Sequence, residues 1–267
     1  MDELILKKVN LTPTMKCNLK CKLCGVRVPH YEYCPQMSVE DMRSTVDAVF
    51  EIADYVEKLQ ITGGEPFMHP QLAEIISYCF TYQKQFGSLW IITNGTIPAK
   101  GELLDVVGKY KDKIVFHVSD YGVRKGAAED FVKSVEAEGC ECRYLKYFGE
   151  EQSYGGWVDQ GDFICHNRDE ESLKQVFKTC SQVVSGGFWY VRHGQMHWCG
   201  RSVRGTEVGK VPLMEEDYLD VFKGSKEERR EKLKRLMERP YITACDYCNG
   251  DYGTCDSEKR FSAGEQM

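Results

Sequence analysis

No apolar run in this 267-residue chain approaches the roughly 18–20 residues that a membrane-spanning helix needs. The opening Met1-Asp2-Glu3-Leu4-Ile5-Leu6-Lys7-Lys8 also lacks the uninterrupted apolar core of a signal peptide. Excess positive charge is missing too: 35 Lys and Arg face 41 Asp and Glu, for a formal net charge of −6. That balance argues against nonspecific nucleic-acid binding, which depends on basic residues neutralising phosphate. There is no long-period repeat and no low-complexity tract. The expectation is a cytoplasmic protein with neither a membrane nor a nucleic-acid partner.

What is present is core-forming residues and cysteine. Hydrophobic residues make up 42% of the chain and aromatics 12%, enough to exclude wholesale disorder. Cysteines number 13, an odd count without a secretory signal, so metal ligands or reactive thiols are expected before disulfides. Cys17, Cys21, Cys24 and Cys34 crowd the front, and Cys245, Cys248 and Cys255 crowd the end.

Up to about residue 150, short β-like runs alternate with amphipathic helix-like runs. Leu4 to Thr12 reads as a strand. Ser38, with Asp41 three residues on, has the form of a helix cap, and Val39, Met42, Val46, Val49 and Ala53 then recur on one helical face. Further strands are expected at 58–62, 88–93, 113–119 and 142–147, and helices near 72–80, 102–110 and 127–137. Such alternation implies an α/β fold with a parallel sheet, wound open or as a partial barrel, with ligands at the C-terminal strand ends. The loops Cys17–Cys24, Gly63–Pro66, Asn94–Gly95 and Ser119–Gly122 all fall at such ends. After Phe148 the rhythm changes. Gly155-Gly156-Trp157 suggests a boundary, 188–192 and 195–199 read as a hairpin about His193-Gly194, and Lys226–Arg239 reads as a charged, solvated helix stopped by Pro240. The expected division is 1–150 and 151–267.

Two motifs carry chemistry in the first part. Cys17-x3-Cys21-x2-Cys24 follows a strand, and three thiolates so close on one loop can hold three irons of a 4Fe–4S cube, leaving the fourth iron open. Zinc fits this triplet poorly, since it normally wants four protein ligands. Thr62-Gly63-Gly64-Glu65-Pro66 ends the second strand; two glycines let a ligand approach the backbone, and Glu65 can accept from an ammonium.

Together these motifs resemble the radical S-adenosylmethionine (radical SAM) superfamily, over about Leu6 to Phe148. The resemblance implies a partial (β/α) barrel of the radical SAM type. It assigns Cys17, Cys21 and Cys24 to the catalytic cluster and Gly63, Gly64 and Glu65 to the methionine amino group of SAM. Asn94 and Ser119 fall where relatives contact the ribose or carboxylate. One departure is Leu23, where an aromatic residue near the adenine is common. In the second half, Cys180, the hairpin, Cys199 and Cys245-x2-Cys248 follow an order similar to the Twitch/SPASM domains of radical SAM dehydrogenases, the aminocyclitol type above all. That likeness implies a small C-terminal β-hairpin-plus-helix domain holding an auxiliary 4Fe–4S cluster, with an all-cysteine zinc site as the alternative.

Cys79 reads as core and Cys140 and Cys142 as structural. Cys255 is a surplus thiol, by default at the surface and otherwise a spare cluster ligand or a hydrogen-atom donor. His117 and Arg143, near strand ends, are further catalytic candidates. The family implies a 5′-deoxyadenosyl radical that takes hydrogen from an unactivated carbon, and the favoured substrate is a small polar metabolite such as a sugar or aminocyclitol. A flavodoxin- or ferredoxin-type reductant supplies the electron. Oxidation with the auxiliary cluster as acceptor is the favoured outcome. The alternatives are epimerisation with a cysteine donor, or maturation of a precursor peptide; the first strand begins near residue 4, so an added N-terminal peptide-recognition domain is not expected.

With two clusters, anaerobic reconstitution is expected to load about eight irons per chain. Replacing Cys17, Cys21 and Cys24 together by Ala should leave about half of them and abolish SAM cleavage. A wild-type chain with one cluster plus tightly bound zinc would overturn the assignment of the second cysteine set.

Overall fold

The computed structural model describes residues 3–153, 157–250 and 262–267. The alternation of strand and helix runs from β1 (Ile5–Thr14) through α1 (Val39–Ile52), β2 (Tyr55–Gly63), α2 (Leu72–Cys79) and β3 (Phe86–Thr93). It continues with α3 (Glu102–Lys109), β4 (Ile114–Asp120), α4 (Ala127–Ala137) and β5 (Glu141–Lys146). The expected cap on α1 forms: Ser38 Oγ accepts from the Asp41 amide at 3.0 Å, satisfying one of the orphan donors of the first turn. β1 to β5 are parallel neighbours in the order β5-β4-β3-β2-β1. Val9, Leu11, Leu59, Ile61, Leu89, Ile91 and Phe116 are fully buried and form one core with Val46, Val49, Ile75 and Phe131 of the helices. This is the parallel α/β sheet that the alternation predicted, wound open as in a partial barrel.

The remaining elements are α5 (Glu170–Thr179), α6 (Ser181–Val184), β6 (Trp189–Arg192), β7 (Gln195–His197), α7 (Gly200–Glu207), β8 (Tyr218–Asp220) and α8 (Lys226–Met237). The hairpin β6–β7 lies where its turn signal placed it. It extends the main sheet: β6 pairs with β1 in parallel, Val9 opposite Trp189 and Leu11 opposite Val191, and β7 and β8 continue it antiparallel. Across the boundary expected near residue 150 the sheet is therefore continuous, with eight strands. Gly155 and Gly156 lie outside the described residues, whereas Trp157 lies within them.

α8 departs from the solvated helix expected from its charge pattern. Arg229 and Arg230 are buried. Arg230 reaches both Asp54 carboxylate oxygens, at 3.0 and 2.7 Å, and the Ile52 carbonyl at 2.7 Å. Arg229 joins Glu51 at 2.6 Å and the Val221 carbonyl. A planar guanidinium is suited to such forked contacts, and here two of them tie α8 to the end of α1. Among the described residues no helix is long and apolar enough to cross a membrane.

Trp189 anchors the hairpin within the C-terminal half. It is 1% exposed, its ring lies 4.5 Å from that of Trp198, and Trp198 donates to the Leu236 carbonyl at 2.6 Å. Trp189→Ala is expected to cost about 3–5 kcal/mol in urea unfolding of the iron-free chain. A loss below about 1 kcal/mol would show that the hairpin is not held through this ring pair.

Candidate functional site

The C-terminal ends of β1 to β4 enclose a cavity of about 260 Å³. Cys17, Cys21, Cys24, Gly63, Gly64, Glu65, Asn94 and Ser119 all line it, so one site collects all eight of the residues assigned to it from the sequence. Leu19, Leu23, Thr93, Tyr121, Trp157 and Gln160 complete much of its wall.

The glycine pair, besides lining the cavity, makes room for main chain. At Gly64 an added Cβ would stand 2.2 Å from the Lys16 carbonyl oxygen; at Gly63, where φ is +129°, it would stand 2.4 Å from that of Thr14. The crowding atoms are main chain from the stem of the cysteine loop. Gly64 and Glu65 amides donate to the Thr14 and Lys16 carbonyls at 3.0 and 2.8 Å. The glycines thus let the cysteine loop itself lie against the end of β2.

Glu65 is 0% exposed. One carboxylate oxygen accepts from the Phe67 amide at 3.1 Å and Thr93 Oγ1 at 2.8 Å, the other from the Asn94 amide at 2.8 Å. Burial pushes its pKa up to about 7, against the downward pull of the three donors. A carboxylate offers about four acceptor positions, so one remains for a donor in the cavity. Asn94 links the same turn to the cysteine loop: its Nδ2 donates to Asn18 Oδ1 at 3.0 Å, and its Oδ1 accepts from the Thr96 amide at 2.9 Å. Much of its side chain is engaged within the protein. On the opposite wall Tyr121 stacks on Tyr147 at 5.4 Å and meets Trp157 edge-on at 5.5 Å. Sequence reading passed over these two ring walls; Tyr121, two residues after Ser119 in a strand-end loop, was the available signal.

A second cavity gathers the other cysteine set. Cys180, Cys199, Cys245 and Cys248 line it together with Val176, Phe177, Trp198 and Ile242. Burial raises Cys199 to about 11 and Cys245 to about 12, and Cys17 in the first site to about 12; in each case it favours the neutral thiol until a cation compensates. Gln160 lines both cavities.

The catalytic candidates fare differently. His117 sits in the middle of β4, beside Ile92 and Arg143 of the neighbouring strands, and neither His117 nor Arg143 lines the first cavity. Arg143 lies over the Trp90 ring at 4.5 Å. The strand-end placement expected for His117 is corrected by register, since β4 runs on to Asp120. Cys255 lies outside the described residues. Cys79 is fully buried in the core, as read.

Among the described residues no three His, Cys, Asp or Glu are arranged to hold a single metal ion. The fit to a cluster rests on the donor sets: three thiols on one loop at a cavity, and four thiols around another, mostly apolar one. Soft sulfur donors of this kind select iron–sulfur clusters or zinc over hard cations.

Residues 11–125 match the Radical SAM superfamily. The chain is 31% identical over 141 residues to the antilisterial bacteriocin subtilosin biosynthesis protein AlbA of Bacillus subtilis (strain 168), covering 51% of this chain and 29% of AlbA. It is 34% identical over 95 residues to the probable GTP 3′,8-cyclase of Methanococcus maripaludis, 36% of this chain and 31% of that protein. The chain thus spans under a third of the length of these curated relatives. The crystal structure of BtrN in complex with AdoMet and 2-DOIA superposes with a TM-score of 0.51 at 14% identity, covering 98% of this chain and 99% of that one, a likeness of fold. Residues 11–125 are thus similar to a radical SAM superfamily domain, an enzyme family that implies SAM and one 4Fe–4S cluster. Cys17, Cys21, Cys24 and Gly63-Gly64-Glu65 lie inside the matched residues.

Gly64→Ala drives a Cβ into main chain that has no rotamer to yield. Its expected cost is about 1–3 kcal/mol, with loss of iron from the first site. Gly25, with nothing within 4 Å of an added Cβ, is the control: Gly25→Ala should unfold within about 0.5 kcal/mol of wild type. Equal stability and iron content in the two variants would show that the β1–β2 approach is not what positions the loop.

Proposed function

We propose that the protein is a radical SAM oxidoreductase that removes hydrogen from an alcohol- or amine-bearing carbon of a small polar metabolite, of the sugar or aminocyclitol class, with a second 4Fe–4S cluster as electron acceptor. The observation that carries this reading is the convergence of Cys180, Cys199, Cys245 and Cys248 on one cavity that shares Gln160 with the first. When bound, the clusters and SAM supply a 5′-deoxyadenosyl radical and a sink for the electron left on the substrate, after one electron from a flavodoxin- or ferredoxin-type donor.

The protein's own residues bind, orient and shield. Cys17, Cys21 and Cys24 would hold the catalytic cluster, and four cysteine ligands on the second leave no open iron there, which suits electron transfer better than substrate binding. Glu65, desolvated and with one acceptor position free, favours an ammonium beside it. Tyr121 and Trp157 offer aromatic wall for adenine that Leu23 does not, and Ser119, buried at the same wall, has a hydroxyl for ribose or carboxylate. Holding one C–H bond against the radical is the protein's main contribution. The division at 150/151 then separates the cysteine sets: those of 1–150 would hold the radical-generating cluster and those of 151–267 the electron acceptor.

Likeness to AlbA over 141 residues favours a second reading, modification of a ribosomally made peptide. The two are separated by measuring 5′-deoxyadenosine formation with aminocyclitols and amino sugars against short peptides. With the responsive substrate, Cys245→Ala is expected to keep SAM cleavage and lose the oxidised product, while Cys255→Ala keeps both. Solvent deuterium at the attacked carbon with inverted configuration, stopped by Cys255→Ala, would replace oxidation by epimerisation.

A further inference from the structure

The segment 262–267 lies against the cysteine loop. Cys21 and Gln266 form an antiparallel bridge. The Lys22 amide donates to the Glu265 carbonyl at 2.7 Å, and the Met267 amide to the Lys20 carbonyl at 2.9 Å. Gln266 adds its side chain: Oε1 accepts from the Lys20 amide at 2.7 Å, while Nε2 donates to Cys21 Sγ at 3.3 Å and to the Gly264 carbonyl at 2.5 Å. These partners fix which way the amide points, because the Lys20 amide needs an acceptor and the Gly264 carbonyl a donor. Gly264, at φ +68°, has the Tyr121 ring 2.3 Å from where a Cβ would lie, so the segment is seated by shape as well. Cys17 receives its amide from inside the loop, Leu19 N at 3.4 Å; Cys21 receives its side-chain donor from 245 residues away.

We propose that Gln266 is a positioning residue for the catalytic centre, which holds the Cys21 sulfur and, through an N–H···S hydrogen bond, raises the reduction potential of the cluster bound there. The inference rests on the reading of Cys17, Cys21 and Cys24 as cluster ligands. Hydrogen bonds to ligand sulfurs are among the factors that set iron–sulfur potentials. A donor on the sulfur offsets negative charge on the cluster and favours the reduced, more negative form, the form from which SAM is cleaved. The segment also gives the Lys20 and Lys22 amides acceptors, so it braces the loop on both sides of the ligand. The exposed Lys22–Glu265 pair at 3.4 Å adds little, being screened by solvent.

The test is an EPR-monitored redox titration of the reconstituted full chain, following the signal that SAM perturbs. Gln266→Leu removes the donor; Gln266→Glu keeps the acceptor toward Lys20 and sets an oxygen against the sulfur. The expected order of midpoint potential is wild type highest, then Gln266→Leu, then Gln266→Glu, with iron content unchanged. If Gln266→Leu alone loses iron, a lowered potential in Gln266→Glu still supports the proposal. A wild-type potential in either iron-loaded variant overturns it. Iron loss from both also overturns it, since the segment would then retain the cluster rather than tune it. Failure of the underlying reading looks different: wild type would load no SAM-responsive cluster at all.

Discussion

The site depends on one main-chain approach, the stem Thr14–Lys16 lying on Gly63 and Gly64. A side chain at either glycine would collide with carbonyl oxygens within 2.4 Å, so this contact exists only without Cβ atoms. It sets Cys17, the next residue along, beside the end of β2. Glu65 then carries the constraint onward to β3 through Thr93 and Asn94, and Asn94 returns it to the cysteine loop through Asn18. Three strand ends and one loop form a closed circuit of hydrogen bonds. Its centre is a buried acid near neutrality, which burial penalises and three donors rescue. Such a group is well fixed and still in want of a positive neighbour.

Much of this was legible in the sequence because the signals are local. Ser38 with Asp41, the 3.6-residue spacing of Val39, Met42, Val46 and Val49, and the strand-end placement of the two motifs are properties of short windows. Residues that meet across long separations were harder to read. That β6 pairs with β1 follows from which sheet edge is free, and no residue near Trp189 announces it. α7 carries Gly200, Ser202, Gly205 and Thr206, poor helix formers, and it buries Arg201 and Arg204 where an apolar stripe would be expected. α5 did carry readable signals, an Asp169 cap accepting from Ser172 at 2.8 Å and Leu173, Val176 and Phe177 on one face. The two cysteine sets were legible by type and spacing. The glycines were legible as a close approach, but what approaches them was not: sequence shows that a Cβ is absent and leaves open which atoms take its place.

The last link is between the two cysteine sets. The stretch 157–162 runs between them with few apolar anchors, yet it is held from both sides. Asp162 pairs with Arg27, three residues beyond Cys24. The Gly161 carbonyl accepts from Arg201, two residues beyond Cys199, at 3.1 Å, and Arg201 also reaches the Tyr247 carbonyl between Cys245 and Cys248 at 2.6 Å. The Asn249 amide donates to the Gln160 carbonyl at 3.1 Å, and the Gln160 residue lines both cavities. Arg201 is 5% exposed, so its hydrogen bonds to carbonyls are made away from competing water and carry more weight than surface contacts. Two sites built by distant parts of the chain are thus braced through one short strap by arginines that each follow a cysteine ligand candidate closely in sequence. The brace therefore holds the two cysteine sets at a fixed separation.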